Sequence, residues 1–341
     1  IINNLFNEQF VMELFKKQIL PCYPDFVSIK KIKIQPHKEY IWESTYHVVI
    51  EFKTIFIVNN GEEVDLPIFC SAHSDEPREN AYDALKYLWN SGFVKGNLTI
   101  PRPLFFSKKF NGIFYRGAEG VNLYQFIRNS NLVEVERIVA QAAKWFAKLH
   151  SLPVKNAYNF NPENSRIKTV IPGVDHILEK IRNDYPQYSE IYQKAYKVFI
   201  TNEENFLSSA KKRWLIHGDA HPENVIRMSK KTIALIDFTD ICLSDFTRDI
   251  GSFFQQIEFM CGRKINSPDF AKRIKNIFLD NYLNNVKIKL DESLQKRIDN
   301  YYNWTSMRTA TFFLLRAKPE PERAHGLLAK VCSDMKLDCD I

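Results

Sequence analysis

The spacing of hydrophobic and polar positions changes period along the chain. Across residues 6–20, Phe10, Leu14 and Phe15 fall on one side at helical spacing, and Pro21 and Pro24 end the segment. Three stretches with strand character follow. Ile29 to Gln35 alternates Lys and Ile, Tyr46 to Val58 is rich in β-branched and aromatic residues, and Val64 to Ala72 is the third. Asn59-Asn60-Gly61 joins the last two as a hairpin turn, since Asn and Gly tolerate positive φ. Ser74-Asp75-Glu76-Pro77 places a cap and a Pro at a helix start. That helix is predicted to run to about Trp89 and to bury Ala81, Leu85 and Leu88. Ile100-Pro101-Arg102-Pro103 then leads into a further strand pair.

Beyond Gly120 the period turns helical. Asn131 with Glu134 forms a capping box, and Ile138, Ala142, Trp145 and Leu149 line one face of a helix ending at His150. More helices are predicted around 174–184 and 188–208, from Ser267-Pro268 and from Asp291, with a last one carrying Leu327, Leu328 and Val331. Two short apolar strands, Trp214–Ile216 and Ala234–Ile236, interrupt this helical half. Strands gathered early and helices late predict an α+β protein in two lobes: a small antiparallel sheet lobe and a larger, mainly helical one.

Composition narrows the picture. The 341 residues suffice for two cores, and the apolar content of 45% is ordinary. The net charge of +7 is spread over separate doublets such as Lys30-Lys31 and Lys230-Lys231. Nucleic-acid binding calls for a concentrated basic stripe, so no nucleic-acid partner is expected. A mild positive field suits an anionic co-substrate and not a polycation. The six cysteines, Cys22, Cys70, Cys242, Cys261, Cys332 and Cys339, form no Cys-x-x-Cys pair and read as reduced thiols of a cytoplasmic protein. No apolar run is long enough for a membrane span, and the opening residues do not read as a signal peptide, so no membrane partner is expected.

The candidate chemistry lies where the two late strands end. Trp214-Leu215-Ile216 runs into His217-Gly218-Asp219, and Asn224 follows Asp219 by five positions. Ala234-Leu235-Ile236 runs into Asp237. Phosphoryl transfer needs a hydroxyl aimed in line at a phosphate and divalent metal to neutralise charge. Mg²⁺ takes hard oxygen ligands, commonly one or two carboxylates plus phosphates. In that reading Asp219 meets the hydroxyl, and Asn224 and Asp237 hold Mg²⁺ and thereby the nucleotide. Singly, each residue reads as an ordinary turn former, and His217 as a core histidine; the full constellation is far more specific.

This segment resembles the aminoglycoside phosphotransferase and choline kinase family, which shares the protein-kinase-like fold. The likeness extends through Ser244-Asp245-Phe246-Thr247-Arg248-Asp249-Ile250-Gly251. It implies ATP and Mg as cofactors, a small-molecule hydroxyl as acceptor, His217, Asp219 and Asp249 as catalytic residues, and Asp249 as a brace for the catalytic loop. It also implies a nucleotide-covering lobe over 1–113, a hinge over 114–120 whose Arg116 and Ala118 backbones meet adenine, and a catalytic and acceptor-binding lobe over 121–341. Glu79 matches the Glu that pairs with the family's phosphate-binding Lys. The Lys position itself falls on Ser71, and no Gly precedes Gly61, so Gln35 to Thr45 replaces a Gly-rich loop with ordinary residues. Lys53 is a candidate substitute, against a plain solvated lysine. These departures keep a second reading open: a pseudokinase-like binding or regulatory module. Tyr301, Tyr302 and Trp304 can cage an ammonium group, with Glu258 and Asp299 as acidic contacts, or equally form a buried helix face.

Overall fold

The computed structural model describes residues 1–76, 78–154 and 159–338. Pro77 and Cys339 lie outside the described residues. The chain forms two compact units. The first comprises 1–121 and 226–239; the second comprises 122–225 and 240–341.

In the first unit, α1 (Glu8–Gln18) precedes β1 (Phe26–Ile41), β2 (Tyr46–Val58) and β3 (Glu63–His73). After α2 (Arg78–Leu88) come β4 (Leu98–Thr99), β5 (Arg102–Ser107) and β6 (Gly112–Arg116). A five-stranded antiparallel sheet has the order β1-β2-β3-β6-β5. Period-2 alternation splits β2 between two faces. Val48, Ile50, Phe52 and Phe56 are buried with Val11 and Phe15 of α1, whose i, i+4 spacing makes one apolar stripe. Phe15 and Phe52 meet edge to face at 5.2 Å. The opposite set, His47 and Val49, faces a cavity.

β1 extends well past the alternating Lys-Ile segment, because residues 36–41 keep pairing with β2 across a bulge between Pro36 and Lys38. What remains between β1 and β2 is a tight turn, Trp42 N–H to Thr45 carbonyl at 2.8 Å, with no glycine. Gly61 has φ +83°, as the β2–β3 turn requires. The expected hinge begins inside regular structure: Arg116 is the last residue of β6, and Ala118 lies beyond it. Residues 226–239 return to this unit because β9 (Val225–Arg227) and β10 (Ile233–Leu235) complete a sheet ordered β4-β10-β9-β7, with β7 being Val121–Asn122.

The second unit is mainly helical: α3 (Leu123–Arg128), α4 (Leu132–His150), α5 (Val174–Asp184), α6 (Ser189–Ser209), α7 (Thr247–Lys264), α8 (Pro268–Val286), α9 (Glu292–Leu315) and α10 (Pro321–Met335). Caps set the starts. Asn131 accepts from Glu134 N–H, Ser267 from Phe270 N–H, and Asp291 from Leu294 N–H. Tyr301 and Trp304 of α9 are 2% and 0% exposed within a core shared with α6 and α10. They therefore form the buried helix face and cannot cage an ammonium group. A two-stranded ribbon of β8 (Trp214–Ile216) and β11 (Cys242–Ser244) delivers the His217-Gly218-Asp219 turn.

Candidate active site

The turn after β8 is held from below. Asp249, fully buried in the first turn of α7, accepts the N–H groups of His217 at 2.7 Å and Gly218 at 2.9 Å through its two oxygens. His150 Nε2 lies 3.0 Å from Asp249 Oδ2, and Tyr282 Oη lies 2.8 Å from its Nδ1. Burial alone would raise the Asp249 pKa, but the His150 hydrogen bond and the nearby histidines outweigh it, so the carboxyl sits below its ordinary value. Gly218 has φ +85°, and a Cβ there would stand 2.2 Å from the Asp240 carbonyl oxygen, so only glycine fits.

His217 is wholly buried, and its Nδ1 accepts the Asp219 N–H at 3.3 Å. It shapes the turn from within the core. Asp219 is held by two further groups. Asn224 Nδ2 donates to the Asp219 carbonyl at 3.0 Å and to Oδ2 at 3.3 Å. That choice points the Asn224 amide nitrogen at Asp219 and leaves Oδ1 for another partner. His221 Nε2 lies 3.3 Å from Asp219 Oδ2. Since His221 Nδ1 accepts the Glu223 N–H at 3.2 Å, the proton belongs on Nε2, which donates to Asp219. Burial pushes the Asp219 pKa up, yet the His221 hydrogen bond, then the electrostatic pull of His221 and Arg308, bring it well below the carboxylate range. His221 carries no signal in the strand pattern and was not singled out from sequence. Asp219 opens into a cavity of about 440 Å³ formed by this loop with α7 and α9. A larger cavity of about 840 Å³, between α6 and α9, is lined by Asp245, Asp299 and Tyr301 but by none of His217, Asp219, Asn224, Asp237 and Asp249.

Asp237 belongs to the first unit. It follows β10 at φ +62°, with Oδ1 accepting the Thr239 hydroxyl at 2.7 Å. It lines a cavity of about 380 Å³ over the outer face of the five-stranded sheet. Ser71 lies in that cavity, on one cross-strand row: Lys38 is opposite Val49, Val49 opposite Ser71, and Ser71 opposite Ile113. Lys38 and Arg78 both line the space around Ser71. Arg78 is buried and pairs with Glu76 at 2.7 Å, and its Nε has no hydrogen-bond partner among the described residues. Burial, then the charges of Lys38 and Arg78, push the pKa of the neighbouring His47 down to about 4. Lys53 is exposed on β2 and does not line this cavity. Glu79 is also outside it. It sits on the exposed side of α2, 4.0 Å from Lys108, whereas Arg78, the first residue of the helix, is buried and lines the cavity. Arg116 is paired within the sheet opposite Ile68 and Arg102, while Ala118 stands outside regular structure. Among the described residues no cluster of three or more His, Cys, Asp or Glu is arranged to hold a metal ion.

Solved structures share this fold. A spectinomycin phosphotransferase, solved with ADP and spectinomycin, aligns over 97% of this chain and 98% of its own at 14% identity, with a TM-score of 0.55. A Plasmodium vivax ethanolamine kinase aligns over 88% and 81% at 16% identity and TM-score 0.54. A macrolide 2'-phosphotransferase from Brachybacterium faecium aligns over 96% and 98% at 10% identity and TM-score 0.54. No curated protein sequence is similar enough to the chain to count as a relative.

The α+β architecture is thus that of the kinase-like phosphotransferases. Residues 51–282 match the phosphotransferase enzyme family that includes the aminoglycoside phosphotransferases, and the chain belongs to that family. It stands among the small-molecule phosphotransferases. Among the described residues, no helix is long and apolar enough to cross a membrane.

Proposed function

We propose that the chain transfers the γ-phosphoryl group of Mg·ATP to a hydroxyl group of a small molecule. The observation that carries this reading is Asp219, held ionised by His221 and hydrogen-bonded by Asn224, lining a cavity of about 440 Å³. A carboxylate with so low a pKa is a weak base. Its part is to accept the acceptor's O–H and aim the oxygen, which suits a loose transition state in which proton transfer comes late. The alcohol oxygen attacks the γ-phosphorus, the bond to the β–γ bridging oxygen breaks, ADP departs, and the alcohol's proton leaves by way of Asp219.

Asn224, through its uncommitted Oδ1, and Asp237, through Oδ2, offer the hard oxygens that Mg²⁺ prefers. When bound, Mg²⁺ supplies charge neutralisation on the phosphates. Lys38 and Arg78 would meet the donor's phosphates in place of the lysine that Ser71 lacks. Their charges are balanced in the cavity by Glu76 and Asp237, so a divalent cation on Asp237 would tip the lining toward polyphosphate. The Ala118 backbone is left as the adenine contact.

Ser71 and the glycine-free turn at 42–45 favour a second reading, a pseudokinase-like binding module. Calorimetry with Mg·ATP separates the two when combined with phosphorylation assays on a panel of alcohols. Product formed by the wild type and lost in Asp219→Asn supports the enzyme. Nucleotide binding without any product favours the module, and no binding at millimolar nucleotide removes the ATP reading altogether.

A further inference from the structure

The cavity that holds Asp219 is lined by four arginines: Arg263, Arg308, Arg316 and Arg323. Each lies over an aromatic ring. Arg263 is 5.4 Å from the Phe259 centroid, Arg308 5.0 Å from Trp304, Arg316 5.4 Å from Phe312 and Arg323 5.5 Å from Phe313. Stacking fixes a guanidinium plane and leaves its donor edge free for carboxylate or phosphate oxygens. Arg316 and Arg323 share Glu320, at 2.6 and 2.5 Å. Arg263 and Arg308 have no carboxylate within ion-pair distance among the described residues.

Among the described residues, only two carboxylates line this cavity, Asp219 and Glu223. The acidic residues expected to meet an ammonium group are elsewhere. Glu258 is paired with Lys275, and Asp299 shares a separate cavity with it. A polycation entering beside Asp219 would face a surplus of like charge, whereas an anion would find bidentate donors.

We propose that the acceptor is an alcohol bearing its own negative charge, a carboxylate or a phosphate ester, which Arg308 binds while the hydroxyl lies at Asp219. This rests on the phosphotransferase reading. The hydroxyl oxygen forms the new bond to the γ-phosphorus, ADP leaves with the bridging oxygen, and the hydroxyl proton is released. The product therefore carries a second anionic group, which the stacked arginines also tolerate.

The test uses matched pairs on the full chain: glycerol against glycerate, and glucose against glucose 6-phosphate, with ethanolamine and kanamycin as cationic arms. Binding is measured by calorimetry with Mg·ADP present, and phosphorylation by mass spectrometry with Mg·ATP. At least one anionic member is expected to bind about tenfold more tightly than its neutral partner, the scale of one charge-assisted hydrogen bond. Arg308→Gln should erase that preference and Arg308→Lys should restore part of it. The two pairs tell carboxylate from phosphate. Equal or tighter binding of the neutral or cationic compounds, or a preference unchanged in Arg308→Gln, overturns the proposal. Binding in Asp219→Asn separates the two layers. Anion preference that persists there, with no product from the wild type, would sink the phosphotransferase reading and leave the anion site standing.

Discussion

The Asp249 carboxylate accepts the Gly218 N–H at 2.9 Å, although 31 positions separate the two residues. With the 2.7 Å bond from His217 N–H, one buried side chain fixes the backbone from which Asp219 projects. Replacing it with Ala strands two buried N–H groups and the His150 ring. Asp249→Ala should cost about 3–5 kcal/mol in urea unfolding, the range for breaking a buried pair from one side. The Asp249 pKa is depressed in the fold, so its contribution is complete above the ordinary carboxylate range and fades as pH falls through the folded value. The stability gap between wild type and Asp249→Asn should therefore narrow in acid. A constant gap down to strongly acidic pH would contradict this account.

Asp219→Asn keeps the shape of the side chain but removes the acceptor charge. We expect product formation to fall by about 10²–10⁴-fold, with Mg·ADP affinity changed far less. Steady-state rates alongside calorimetry check both halves; a wild-type rate would refute the role given to Asp219.

His221 holds Asp219 ionised through the 3.3 Å contact to Oδ2. In His221→Ala that hydrogen bond and its electrostatic pull are gone, and burial pushes the Asp219 pKa upward. The acid limb of kcat/KM should then move to higher pH, because Asp219 protonates sooner as pH falls. A pH profile superimposable on the wild type would remove His221 from the site.

Lys38 shares a cross-strand row with Ser71 and lines the same cavity as Arg78. Lys38→Met and Arg78→Lys should each raise the Kd for Mg·ATP, the former by about tenfold, while adenosine binding stays unchanged. Lys53→Met, on the exposed side of β2, should leave both alone. Equal affinities across all three variants would mean that the donor's phosphates lie elsewhere.

Much of the fold was legible because helices and strands are local. Tyr46–Val58 has strand bounds set by its own composition, and α4 ends at His150, one residue after the last position of its apolar face. β1 was read too short, since its last six residues are strand only because β2 pairs with them. The aromatic run at Tyr301 and Trp304 was ambiguous for the opposite reason. Helical spacing gives a face but not what covers it, and the answer came from α6 and α10. Glu79 illustrates a one-residue ambiguity: neighbouring helical positions point about 100° apart, so Arg78 is buried while Glu79 is exposed.

What chain order alone determined was the placement of the candidate residues at the strand ends. His217, Asp219 and Asn224 lie close together in sequence, so their spacing survives any packing of the rest. Tertiary structure decided everything that depends on distant partners. Strand register brought Lys38 into the row of the serine that stands where a lysine was expected. The packing of α7, α9 and α10 gathered Arg263, Arg308, Arg316 and Arg323 around the cavity that Asp219 lines. Neither arrangement has a local signature, because register and helix packing are settled by burial of the opposite faces, not by the residues that end up facing the site.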